Sequence, residues 1–224
     1  MGSHSTDSRV FIRSMATRGF SGGLASALRG VLKLLDAYGK ELLIIETAGT
    51  GQSEIDIMQV ADAVIVVLTP EGDDVLQAMK AGIMEIGDIY VVNKADRPGA
   101  NQIVAALKSI LSLQTQSKNE PVILTTEAVN DVGIVDLFEH IESTHKMLSE
   151  TGQLIARRRQ QRYWEFVESI EQRIFRQLSE FINTDATIAE YLSGVEDGKV
   201  APYIAADEFM NKGLSTMWAK KFKE

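Results

Sequence analysis

The sequence predicts an α/β domain, an open and mostly parallel sheet in doubly wound order, with a helical arm at its C-terminal end. Two features carry this. Short apolar runs alternate with stretches of helical periodicity, and after about residue 150 the runs give way to a single long seam. The runs are Leu42-Leu43-Ile44-Ile45, Ala63 to Leu68, Ile89-Tyr90-Val91-Val92 and Val122-Ile123-Leu124. Runs that stay apolar without alternation fit strands covered on both faces, as in parallel sheets.

Taken in order, Leu24, Leu28, Val31, Leu32 and Leu35 recur at helical spacing, and Gly39 supplies a stop. Helical stretches then fall between the strands, roughly Asp74 to Ile86, Asn101 to Leu113 and Val135 to Leu148. This alternation implies βαβ crossovers, and ligands in such sheets sit at the carboxyl ends of the strands. The loops after Ile45, Leu68, Val92 and Leu124 are therefore the candidate site. In the arm, Tyr163, Val167, Ile170, Ile174, Leu178 and Phe181 recur at steps of three and four, an apolar seam. The tail through Tyr203 to Trp218 reads as shorter helices. The domain boundaries expected are 1–150 for the α/β domain and 151–224 for the arm.

Bulk properties exclude several classes. The 224 residues carry a formal charge of −8, which argues against nucleic acid or an anionic membrane as the main partner. The absence of cysteine excludes disulfides, thiolate zinc sites and cysteine nucleophiles. No apolar run approaches the roughly 18 residues of a membrane span, and Met1 to Asp7 is too polar for a signal peptide. A soluble, cytoplasmic protein is expected. His4, His140 and His145 have no metal spacing.

Two loops carry chemistry. Asn93-Lys94-Ala95-Asp96 follows the third run. A carboxylate there can accept hydrogen bonds from the N1 and exocyclic amino groups of guanine, the Asn can read the base and brace the loop, and the Lys stem can lie along the ring. The bland alternative is a polar turn in which Asp96 caps the next helix. Glu46-Thr47-Ala48-Gly49 follows the first run. An acidic group at a strand end can hold Mg²⁺ through water, and a glycine three residues on admits a terminal phosphate; the alternative is a flexible loop with an exposed Glu. Arg13 can meet phosphate or a partner carboxylate, against simple surface anchoring. Arg157-Arg158-Arg159, interleaved with later glutamates, reads as a solvated helix face.

The run Val10 to Gly19 with Gly22-Gly23-Leu24 resembles the methylmalonyl-CoA mutase-associated GTPases, the MeaB/ArgK family of P-loop GTPases. So do Glu46 to Glu54, Lys80 to Ile86 and Asn93 to Ala100. The resemblance implies a chaperone of an adenosylcobalamin-dependent methylmalonyl-CoA mutase that binds GTP or GDP with Mg²⁺ and hydrolyses GTP. It assigns Glu46, Gly49 and Lys80 to catalysis, with Glu46 also at the metal. It assigns Asn93, Lys94, Asp96, Glu127 and Ala128 to guanine, and Asp74, Gln77 and Arg13 to a switch facing the partner. It further implies that the arm forms a homodimer. Asp73 and Asp74 serve equally well as helix N-caps. Thr125-Thr126-Glu127-Ala128 stands where relatives often end in Ser-Ala. The string G-x-x-x-x-G-K-[ST], which cradles phosphates, does not occur in these residues. The expectation is an N-terminally truncated, incomplete GTPase domain with impaired hydrolysis, Met1-Gly2-Ser3-His4 marking either an internal start or a cloning boundary. The alternatives are a non-catalytic dimerisation or mutase-docking module and, less well supported without Cys or a His cluster, a nickel-insertion GTPase.

Overall fold

The computed structural model describes residues 7–15, 27–47, 55–71, 82–114, 122–184 and 186–213. The chain divides into two compact units, Met1–Gln161 and Arg162–Glu224.

In the first unit, β1 (Ile65–Leu68), β2 (Ile89–Asn93) and β3 (Val122–Thr126) form a parallel sheet in the order β1-β2-β3. Its register aligns Ile65 with Ile89 and Ile89 with Val122, so all three strands end at the same edge. The helices are α1 (Leu28–Ala37), α2 (Ala100–Gln114) and α3 (Ile134–Glu150), followed by the long α4 (Gln153–Thr184). Ile89 to Val92 are all buried, as expected of a strand covered on both faces. On α2, Ala100, Leu107 and Leu111 are buried at helical spacing in one core with Val66, Leu68, Tyr90 and Val92. The Tyr90 hydroxyl donates to the carbonyl of Met84 at 2.7 Å, and burial pushes its pKa up to about 12.

Three expectations change. Leu42 to Ile45 does not join the sheet. A strand exists only through a neighbour's backbone, and no described strand pairs with this run. Ile45 packs against the core while Leu42 and Ile44 stay exposed. β1 alternates instead of being buried throughout, with Val67 56% exposed, the pattern of a strand covered on one face. Of the helix expected from Asp74 to Ile86, residues 72–81 lie outside the described set, and Ile83–Glu85 is a 3-10 turn that follows Gly82 at φ 73°.

Two residues of the arginine run are also not simply solvated, while Arg159 is exposed. Arg157 places Nη1 and Nη2 on the two carboxylate oxygens of Asp88 at 2.8 and 2.6 Å and donates to the Asp62 carbonyl. Arg158 grips the Asp62 carboxylate at 2.9 and 2.6 Å. Gln161 donates to the carbonyls of Met58 and Ala61. Asp88 also accepts the Val64 N–H at 2.8 Å. The start of α4 thus holds the amino-terminal ends of β1 and β2. Bidentate guanidinium–carboxylate pairs are the strong form of such contacts, and the Asp88 side chain is only 13% exposed.

In the second unit, α5 (Ala186–Glu196), α6 (Pro202–Glu208) and a π turn (Phe209–Gly213) follow α4. Phe181 and Ile188 form a small core with Leu178, Ile182 and Phe209. The carboxyl end of the predicted seam is therefore spent within this unit. Tyr163, Phe166, Ile170 and Ile174 remain exposed. No helix among the described residues is long and apolar enough to cross a membrane.

Arg157→Ala strands a largely buried Asp88 carboxylate and should lower stability in urea unfolding by about 2 kcal/mol. The hydrogen bond from Arg158 holds the Asp62 carboxyl below its ordinary value. Its contribution is complete above the unfolded-state pKa and is lost as pH falls through the depressed folded value. Asp62→Asn should therefore flatten the acid limb of the stability curve and change its shape little above pH 6.

Candidate functional site

Because β1, β2 and β3 run in register, the segments Thr69–Glu71, Lys94–Gly99 and Glu127–Gly133 leave the sheet at one edge. The centre of this edge is Asn93, the last residue of β2. Its side-chain carbonyl Oδ1 accepts the Thr126 hydroxyl at 3.0 Å and the Ala128 N–H at 3.1 Å. The Ala95 N–H donates to the Thr126 carbonyl at 3.0 Å. Asn93 therefore ties its own loop to the one after β3, the bracing role expected of it.

The next residue, Lys94, has φ 57°. A non-glycine residue in the left-handed region is held there by its surroundings at a cost of order 1–2 kcal/mol. The Arg97 N–H donates to the Lys94 carbonyl, closing a tight turn. This turn presents Asp96 outward, its side chain 48% exposed. Arg97 Nε lies 3.6 Å from Asp96 Oδ2. The Lys94 ammonium pairs with Glu71, and Arg97 Nη1 lies 3.5 Å from the other oxygen of Glu71. The Glu71 carboxyl is held below its ordinary range, first by the hydrogen bond from Lys94.

Across the edge, Glu127 and Val132 pair as an isolated bridge, and Asn130 donates to the Glu127 carboxylate at 3.1 Å. Gly133, at φ 73°, closes this loop; a β-carbon there would lie 2.4 Å from the Thr125 carbonyl oxygen.

Of the residues assigned to the base, Asn93, Lys94 and Asp96 lie on one turn, and Asn93 is tied to Ala128; Glu127 lies on that second loop, bonded to Val132 and Asn130. Glu46 is exposed on the separate segment whose Ile45 packs on the core, and Arg13 is exposed near the beginning of the chain. Gly49, Asp74, Gln77 and Lys80 lie outside the described residues. Among the described residues no three or more His, Cys, Asp or Glu side chains gather as a metal site. Glu46 offers a single carboxylate, enough for Mg²⁺ only if phosphate oxygens and water complete the shell, as that ion commonly requires. Sequence reasoning gave no individual role to Thr126 or Glu71. The hydroxyl of Thr126 is signalled only by its position one strand over from Asn93, and Glu71 only by its place in the loop after β1.

The chain as a whole has counterparts among known proteins. A family model, methylmalonyl Co-A mutase-associated GTPase MeaB, matches residues 1–183. A Pyrococcus abyssi relative, named only provisionally as a GTPase, is 40% identical over 95% of this chain and 68% of its own length. The GTPase ArgK of Escherichia coli is 28% identical over 86% of this chain and 60% of its own. The crystal structure of a LAO/AO transport system kinase shares the fold, with TM-score 0.58 and 24% identity over 82% of this chain and 60% of that one. The chain thus spans about 60 to 68% of the length of these relatives. With the family model matched over residues 1–183 of the 224, the chain belongs to the methylmalonyl Co-A mutase-associated GTPase family, MeaB.

Proposed function

We propose that this chain is the guanine-reading and partner-facing portion of a GTP-binding, GTP-hydrolysing chaperone of an adenosylcobalamin-dependent methylmalonyl-CoA mutase. One observation carries the reading: Asp96 stands on a strained turn, at the sheet edge, on a loop braced by Asn93. A carboxylate so placed accepts both N1–H and the exocyclic amino group of guanine, a pattern adenine does not offer. Lys94 is assigned to flank the ring with its stem, and the backbone of Glu127 and Ala128 to border it.

Mg²⁺, when bound with nucleotide, neutralises charge developing on the phosphates. Glu46 is assigned to hold it through water, with Gly49 near the terminal phosphate and Lys80 as the catalytic cation. Asp74, Gln77 and Arg13 are assigned to the partner-facing switch. Phosphoryl transfer depends on positioning and charge stabilisation. The string G-x-x-x-x-G-K-[ST] is not among these 224 residues. The chain by itself is therefore expected to bind guanine nucleotides weakly and to hydrolyse GTP poorly. The proposed setting is cytoplasmic, with neither nucleic acid nor membrane as partner.

A second reading, a non-catalytic dimerisation or mutase-docking module, is favoured by α4. Tyr163, Phe166, Ile170 and Ile174 are 42 to 65% exposed along it at helical spacing. An apolar stripe of this size on a charged helix is a protein-contact surface, and the proposed contact is a second copy.

Calorimetric titration with GDP and ADP, with and without Mg²⁺, tests the first reading. The expected result is weak binding with a clear preference for GDP. Asp96→Ala should remove that preference and cost about 3 kcal/mol, on the order of a hundredfold. Equal affinity of the unsubstituted chain for GDP and ADP would refute base reading by this loop. For the second, sedimentation should show a dimer, and Phe166→Glu with Ile170→Glu should yield folded monomers. A chain that is monomeric before substitution contradicts it.

A further inference from the structure

Glu71 follows β1 and belongs to none of the motifs that read the nucleotide, yet its carboxylate reaches into the guanine-reading turn. One oxygen pairs with the Lys94 ammonium, and the other lies 3.5 Å from Arg97 Nη1. The neighbouring residue is also close, since a β-carbon on Gly99 would lie 3.7 Å from Pro70 Cβ. The loop after β1 therefore packs along the turn.

Arg97 stands between two carboxylates, 3.5 Å from Glu71 and 3.6 Å from Asp96. Both distances exceed the 2.7–2.9 Å or so of a closed charge-assisted hydrogen bond, so the guanidinium is shared and committed to neither. This matters because a guanidinium and a guanine edge make the same demand on Asp96: each offers two parallel N–H donors to the two carboxylate oxygens. An Arg97 closed onto Asp96 would occupy the acceptors the base requires. The side chains are half exposed and adjacent in sequence, and the second carboxylate draws the guanidinium the other way.

We propose that Glu71 is a positioning residue for guanine recognition: by bridging Lys94 and Arg97 it holds the Arg97 guanidinium off Asp96 and leaves that carboxylate open to the base. The proposal rests on the assignment of Asp96 to guanine. It identifies the loop after β1 as a determinant of base affinity, and it makes the charge of Glu71, not its bulk, the active property.

NMR titration of the 224-residue chain with guanosine and with adenosine tests this without involving phosphate or metal. Exposed ion pairs are weak, so Glu71→Gln should weaken guanosine binding about three- to fivefold and leave adenosine binding unchanged. Adding Arg97→Gln to that variant should restore the lost affinity, because the competitor for Asp96 is then gone. In an Asp96→Ala background, Glu71→Gln should have no further effect. Dispersed spectra identify folded variants, and the half-exposed position of Glu71 makes folding defects avoidable. If Glu71→Gln leaves guanosine binding unchanged or tightens it, or if Arg97→Gln fails to rescue, the positioning role is wrong while base reading by Asp96 stands. If the unsubstituted chain does not prefer guanosine over adenosine, or Asp96→Ala does not remove the preference, base reading itself fails and the role of Glu71 falls with it.

Discussion

The candidate site depends on one side-chain carbonyl. Oδ1 of Asn93 accepts both the Thr126 hydroxyl and the Ala128 N–H, and these two bonds join loops from strands that are neighbours only through the sheet. Without them the turn at Lys94 would lack the support that a left-handed non-glycine residue needs. Asp96, two residues further on, would lose a defined direction. A carboxylate can discriminate between purines only if its two oxygens are held at a fixed angle to the base edge. Bracing by Asn93 therefore precedes any chemistry assigned to Asp96.

The sheet is organised so that its two ends do different work. At the amino ends of β1 and β2, Asp62 and Asp88 are gripped by Arg158 and Arg157 at the start of α4, and Gln161 caps carbonyls of the turn that precedes β1. At the carboxyl ends, charged groups are shared: Glu71, Lys94, Arg97 and Asp96 form a chain of exposed contacts that a ligand can rearrange. Bidentate, partly buried pairs hold the scaffold, and the pairs at the other end are solvent-exposed. The same chemical groups serve both purposes because burial, not residue type, decides how firmly an ion pair is held.

Much of this was legible in the sequence. Ile89 to Val92 announced a buried parallel strand because every residue is apolar, Val122 to Leu124 announced a parallel strand that is only half-buried, and Asn93 to Asp96 drew attention because it follows such a strand directly. The helical stretch expected between the strands at Asn101 to Leu113 is the observed Ala100–Gln114. What failed did so for physical reasons. Leu42 to Ile45 has strand-like composition, but composition cannot supply the neighbouring backbone that makes a strand, and no described strand pairs with it. The triple arginine looked solvated because its partners, Asp62 and Asp88, lie some 70 to 95 positions earlier in the chain. The seam of α4 does lie on one long helix, yet nothing in its spacing told that Leu178 and Phe181 would be covered while Tyr163, Ile170 and Ile174 stay exposed. Long-range polar partners are set by the fold, and a local pattern does not contain them.

Comparison of guanosine with inosine, which differs only by lacking the 2-amino group, tests the central claim most directly. If Asp96 reads both donors of guanine, inosine binds this chain about tenfold more weakly, the worth of one hydrogen bond to a charged acceptor, and the difference vanishes when Asp96 is replaced by Ala. Equal binding of the two nucleosides to the unsubstituted chain would mean that the carboxylate does not contact the base, and the assignment of this edge would be wrong.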